Sequence, residues 1–204
     1  MRKKRPGEEI NIKSLSEKAQ KLFLGKGGSR EKEIKAILNS GEKETPAIRI
    51  HQGSAARKLR EEFSKRIVPS RWHEKWKDMG DDFDNQLGDP EVAKHLGAKS
   101  RWILQGFHDP DIHLLNRTVP TPSTSDVPLA LQMLASAKAA AWIADVRSAF
   151  SQGIRGQRPE RLFASPPPGG FPGEDDDILI EILAEIYGLI TGPPAWRKSL
   201  FTDF

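Results

Sequence analysis

The chain has 204 residues, a formal net charge of +4 and no cysteine. The length admits one domain with a real core, or a smaller domain plus a tail. The lack of cysteine excludes disulfides and thiolate metal sites and fits a reducing compartment, and no apolar run approaches the roughly 18 residues of a membrane helix. The first residues, Met-Arg-Lys-Lys-Arg, have no apolar segment behind them. They are expected to be a solvated basic tail, with a nuclear address as the alternative, and not a secretory signal. The expected location is therefore intracellular, cytoplasmic or nuclear, with no membrane partner. Lys and Arg dominate residues 1–77, whereas Glu174-Asp175-Asp176-Asp177 forms an acidic run.

In chain order, residues 1–13 read as disordered, and residues 14–24 and 29–38 as two short helices. Ser29 suits an N-cap, Lys32 and Glu33 fall in the first turn, Ile34, Ile37 and Leu38 share a face, and Gly41 is a stop. Gly25-Lys26-Gly27-Gly28-Ser29 lacks the spacing of a phosphate loop and has no strand before it, so it reads as a flexible hinge. Residues 55–66 predict a helix with a narrow apolar face at Leu59 and Phe63. Ile67 and Val68 begin an extended segment, since Pro69 forbids continuing a helix. Residues 71–77 read as a strand with bulky residues at irregular spacing. Its bases and aromatics admit a stacking platform for single strands, but two inward-packed tryptophans are the favoured reading. Residues 78–97 predict a loop with His95 at the surface.

Residues 99–107 alternate. Lys99, Arg101, Ile103 and Gln105 fall on one face, and Ser100, Trp102, Leu104 and Gly106 on the other. His108-Asp109-Pro110-Asp111-Ile112-His113 offers metal-ligating types, but the central Pro breaks any helix or strand that would align them, so a turn is expected. Residues 118–122 read as extended and residues 125–140 as a helix with Leu131, Leu134 and Ala135 on one face. That helix runs into a predicted apolar strand, 139–143. Residues 151–177 read as a loop with a short strand near 161–164, and the acidic run in it as solvated. Residues 178–183 are apolar enough for strand or helix, and Pro193-Pro194 suits a helix start. Trp72, Trp76, Trp102, Trp142 and Trp196 all lie in or beside proposed elements, so most are expected in the core or half-buried.

Chemistry concentrates at Trp142-Ile143-Ala144-Asp145-Val146-Arg147-Ser148-Ala149-Phe150-Ser151-Gln152-Gly153. A strand ending at Asp145 would put the carboxylate at a sheet edge, within reach of a hard cation. If the chain turns there, the N–H groups of residues 147–149 could face an anion.

Asp145-Val146 followed by Ala149-Phe150 resembles the first catalytic motif of copia-type LTR-retrotransposon reverse transcriptases. Two further stretches follow the family's order. Lys99-Ser100-Arg101-Trp102-Ile103-Leu104-Gln105-Gly106-Phe107 is similar to its fingers strand, and Ile186-Tyr187-Gly188-Leu189-Ile190-Thr191-Gly192-Pro193-Pro194-Ala195-Trp196 to its Leu-Tyr-Gly-Leu-Lys-Gln-x-Pro-Arg-x-Trp. The resemblance implies an α+β chain. A basic, partly disordered region, 1–50, would precede a truncated right-hand polymerase domain, 51–204, comprising fingers and part of the palm with an antiparallel sheet and packed helices. It makes residues 178–183 a strand.

In that family two Mg²⁺ ions about 3.5 to 4 Å apart drive nucleotidyl transfer. By resemblance, Asp145 is a catalytic carboxylate and Mg²⁺ ligand, with the Val146 carbonyl a further ligand. Lys99 and Arg101 contact the phosphates of the incoming deoxynucleotide, whose triphosphate faces the Ser148 and Ala149 N–H groups. Phe150 lies under its sugar, and Thr191 stands where the family has Gln. The partners implied are an RNA or DNA template-primer and a dNTP. The departures are also specific. Ile190 and Pro194 replace a Lys and an Arg, and the family's downstream Asp-Asp hairpin is not among these 204 residues. The expectation is a fragment of an RNA-directed DNA polymerase that does not polymerise alone. The alternatives are a non-catalytic nucleic-acid-binding remnant using the basic N-terminal half, and an unrelated α+β domain in which the motifs coincide.

Overall fold

A computed structural model describes residues 8–39, 46–89, 92–115, 118–119, 123–142, 145–146, 149–152, 158 and 160–202. The expected stop at Gly41, most of the extended segment 118–122, and Ile143, Arg147, Ser148 and Gly153 lie outside them. The fold is mixed α and β. No helix among the described residues is long and apolar enough to cross a membrane.

Two sheets organise the chain. Strands β1 (Ile48–Gln52), β2 (Ile67–Val68), β5 (Leu162–Ala164) and β6 (Ile178–Ile182) form one sheet in the order β1-β6-β5-β2. β6 is antiparallel to both neighbours, and β2 runs parallel to β5. Strands β3 (Ser70–Asp78) and β4 (Leu96–Leu104) form a separate antiparallel pair in unbroken register from Ser70↔Leu104 to Asp78↔Leu96. Only Pro69 separates β2 from β3, so one extended run passes from sheet to hairpin at the residue that cannot donate to a ladder.

β6 reads as unbroken Ile-Leu-Ile because it is covered on both faces. Ile178 and Ile180 join the main core, while Leu179 packs on the opposite side with Ala56 and Phe163. Helix α3 (Gly53–Glu62) brings Ala56 and Leu59 to that second face, and Phe63 follows it. On the first face lie α2 (Ser29–Leu38), Trp72 and Trp102 of the hairpin, and Phe171. Phe171 meets Trp102 edge-on at 5.1 Å between ring centroids. A second core forms at the far end of the hairpin, where Phe23 of α1 (Glu17–Leu24) packs edge-on against Trp76 at 5.0 Å.

Several expectations need correction. Residues 8–13 are ordered: the Ile10 N–H donates to the Glu74 carbonyl at 2.7 Å, Glu9 bridges to Lys75, and Ile10 and Ile12 are buried. Two isoleucines among polar residues carry no periodicity, and their cover comes from the core they share with Ala19, Phe23, Trp76, Val92 and Leu96. The Gly25–Gly28 link is a tight turn rather than a hinge. A Cβ at Gly28 would lie 2.7 Å from both the Gly25 and Phe23 carbonyl oxygens, and Gly28 itself is the N-cap of α2. In β3 the buried residues alternate regularly as Ser70, Trp72, Glu74 and Trp76. The spacing looked irregular because the third position is a charged Glu, which is compensated by Arg30 of α2 at 2.6 Å.

The strand expected at 139–143 does not form in the described part, 139–142, and Asp145 and Val146 are not in a strand either. Alanines bury too little surface on a pleat to hold one. Most of the tryptophans are buried or half-buried as expected, Trp72, Trp76 and Trp102 buried and Trp196 in part, and Trp142 is the exception at 94% exposed. Helix α4 (Asp126–Ser136) forms but stops one turn short of the expected 125–140, and it buries none of its residues, including Leu131.

Candidate functional site

The site grows from β4. Alternation puts Trp102 and Leu104 into the core, which leaves Lys99 and Arg101 on the other face. α2 runs along the same strand, held by a 2.7 Å bond between the Ser29 and Ser100 hydroxyls. It carries Glu33 beside the two cations. Past β6, the chain returns as Glu185-Ile186-Tyr187. The Tyr187 carbonyl accepts the Leu104 N–H at 2.9 Å, tying this segment to the end of β4. Residues 145–146 and the short helix α5 (Ala149–Gln152) close the remaining side.

The result is a cleft of about 640 Å³ lined by Glu33, Lys99, Arg101, Asp145, Val146, Phe150, Glu185 and Tyr187 among others. The Arg101 guanidinium lies 5.0 Å from the centre of the Tyr187 ring, a cation–π distance. Phe150 meets the same ring edge-on at 5.5 Å. A Cβ at Gly192 would touch the Phe150 ring at 3.5 Å, so the start of α6 (Gly192–Thr202) seats that ring.

Two glycines of the quoted motifs make this meeting possible. A Cβ on Gly106 would lie 2.1 Å from the Gly188 carbonyl oxygen, and a Cβ on Gly188 2.0 Å from the Leu104 carbonyl oxygen. Gly188 also has a φ of 95°, which L side chains rarely adopt.

The charges in the cleft are mutually constrained. Burial pushes the Glu33 carboxyl up, opposed by Lys99, the Trp102 amide and Arg101. Its Oε1 is buried with no hydrogen-bond partner among the described residues. Burial also pulls the Lys99 ammonium down, assisted by Arg101 and Lys77 and opposed by Glu33. Glu185 is committed, since it accepts the Thr191 hydroxyl at 2.5 Å.

Of the residues singled out in the sequence, Lys99, Arg101, Asp145, Val146 and Phe150 line this one cleft. Ala149 opens α5 beside Phe150 but is not among the lining residues, and Ser148 lies outside the described residues. Thr191 is buried behind the wall. Its hydroxyl serves Glu185 and accepts from Arg158 at 3.2 Å, so it does not face the cavity. Sequence reasoning passed over Glu33 and Glu185. Neither has a local signal, because each reaches the cleft only when α2 and the segment after β6 fold against β4.

The His108–His113 stretch is a turn, as expected, and its carboxylates have a structural task. Asp111 takes a two-pronged bond from Arg66 at 2.6 and 2.7 Å, and Asp109 one from Arg158 at 2.7 Å, all largely buried. His108 and His113 stay exposed.

Among the described residues, no group of three or more His, Asp or Glu side chains is placed to hold a metal ion. Asp145 and the Val146 carbonyl would offer two ligand groups toward Mg²⁺, one of them a carboxylate, fewer than the carboxylate set that a pair of ions takes. The described donor set therefore does not fit two-ion chemistry. In comparison with known proteins, the chain matches no family model, no curated protein and no solved structure.

Proposed function

We propose that the chain is the fingers and part of the palm of a copia-type retrotransposon reverse transcriptase. Its cleft would receive a deoxynucleoside triphosphate without polymerising it unaided. One observation carries this reading. The three stretches that suggest the family are far apart in the sequence, yet each contributes to the same cleft: Lys99 and Arg101, then Asp145, Val146 and Phe150, then Ile186 and Tyr187. Unrelated coincidences have no reason to converge.

The chemistry follows from these side chains. Lys99 and Arg101 attract the phosphates, the Arg through a fork that matches phosphate oxygens. Phe150 and Tyr187 offer apolar faces to sugar and base. Asp145 would hold one Mg²⁺ through its carboxylate, and the bound ion would screen phosphate charge. A single such carboxylate does not assemble the two-ion geometry of nucleotidyl transfer, so these 204 residues bind nucleotide and do not extend a primer.

The test is calorimetric titration of the purified chain with a deoxynucleoside triphosphate, beside a template-primer extension assay. Replacing Lys99 and Arg101 together with Ala is expected to weaken binding at least tenfold, about 1.4 kcal/mol, and no extension is expected. Unchanged binding in the double variant would overturn the nucleotide reading. Extension that is abolished by Asp145→Asn would overturn the claim of inactivity.

A second reading, nucleic-acid binding without catalysis, is favoured by the outer face of the hairpin. Arg71, His73, Lys75 and Lys77 of β3 stand on one face with Lys99 and Arg101, and Lys75 is directly opposite Lys99. Like charges paired across strands are destabilising, and a polyanion would relieve them. Salt-dependent RNA or DNA binding that survives Asp145→Asn supports this reading.

A further inference from the structure

We propose that Glu33 is a built-in competitor for the two cations of this cleft and sets its affinity for anionic ligands. The proposal rests on the reading of the cleft as a nucleotide site and names a control within it. Glu33 comes from the N-terminal helix α2, outside all three stretches that suggested that reading, and it lines the cleft with Lys99 and Arg101.

The geometry gives its carboxylate two unlike oxygens. The carboxylate accepts the Trp102 amide of β4, which fixes the side chain against the strand, while Oε1 is buried and has no partner among the described residues. A buried carboxylate oxygen with an open valence, next to two cations, is costly unless something completes it. In the empty cleft that role falls to the fields of Lys99 and Arg101. A phosphate arriving on those cations takes them from Glu33 and adds negative charge beside it. Glu33 then either repels the ligand or accepts a proton on Oε1, which turns an orphaned acceptor into a donor for a phosphate oxygen.

The surrounding charges favour the proton. Burial already pushes the Glu33 carboxyl up. The other titratable groups lining the cleft are Asp145, Glu185 and Tyr187. Two of these are carboxyl groups like Glu33 itself, and none is a cation that would hold Glu33 ionised. Anion binding should therefore draw in a proton and strengthen as pH falls.

Thymidine triphosphate, titrated without metal into the full chain and into Glu33→Gln, tests this. Gln keeps an acceptor for the Trp102 amide. At about pH 8 the variant is expected to bind about tenfold tighter than the native chain. The ratio should shrink toward one as pH is lowered toward about 5, and the comparison at each pH cancels the ligand's own titration near pH 6. Calorimetry of the native chain at about pH 8, in two buffers of different ionisation heat, should show net proton uptake on binding. This second measurement decides the matter if Glu33→Gln does not fold. Equal affinities at every pH, weaker binding by the variant, or no proton uptake would overturn the role of Glu33. Loss of binding in the Lys99 and Arg101 double variant would still leave the nucleotide reading standing. No binding by the native chain even near pH 5 would overturn both.

Discussion

Asp109 and Asp111 show how much a single residue type can conceal. In the sequence they look like metal ligands interrupted by a proline. In the structure they are the acidic half of a buried ionic cluster that joins the turn after β4 to Arg66 and Arg158. The Arg66 hydrogen bond holds the Asp111 carboxyl below its ordinary value of 3.8. A depressed carboxylate stabilises the fold above its unfolded value, and that stability is lost as pH falls through the folded one. The native chain should therefore lose stability below about pH 4. Asp111→Asn should cost about 3 kcal/mol at neutral pH, because it takes the two-pronged carboxylate from a largely buried guanidinium and leaves Glu160, at 3.5 Å, as its charged partner, and it should flatten the acid limb. Urea unfolding between about pH 2 and 7 measures both. Glu33 works in the opposite sense. Its folded value is raised, so its contribution declines as pH rises from its unfolded value toward the folded one.

At the scale of elements, the crossing of β4 with the segment after β6 decides whether the cleft exists. Two backbones approach here as closely as glycine allows, and the 2.9 Å bond from the Leu104 N–H to the Tyr187 carbonyl sits at the crossing. A methyl group on either glycine has backbone oxygen within about 2 Å and nowhere to go. Gly188→Ala and Gly106→Ala should each lower stability by about 3 kcal/mol or more. Gly173 provides the control: its φ is 83°, but nothing lies within 4 Å of the added Cβ. Gly173→Ala should then cost only backbone strain, about 1 kcal/mol. Thermal unfolding of the three variants separates steric approach from strain.

The whole molecule divides its tryptophans between cores and surface. Trp102 is fully buried among Phe171, α2 and the first sheet, whereas Trp142 stands 94% exposed. Trp102→Ala should cost about 3 to 5 kcal/mol, and Trp142→Ala less than about 0.5. Chemical denaturation checks both, and acrylamide quenching should lose its most accessible component with Trp142. Val127, Leu129, Leu131 and Met133 of α4 are each more than half exposed as well.

Many of the elements are legible in local sequence pattern. The β4 alternation, the extended segment from Ile67, the helix of residues 29–38 and the turn at Asp-Pro-Asp all stand where their patterns put them, since each depends on neighbours a few residues away. The sequence also singled out Lys99, Arg101, Asp145 and Phe150, through motifs rather than periodicity. What tertiary structure decided is whatever needed a partner from afar. Glu74 is buried because Arg30 meets it, Ile10 because Trp76 covers it, and Trp142 is exposed because no strand forms before it. Thr191 turns inward to Glu185. Glu33 becomes part of the cleft only because Ser29 and the Trp102 amide hold α2 along β4. Burial and charge compensation are properties of distant pairs, and no local pattern encodes the second member.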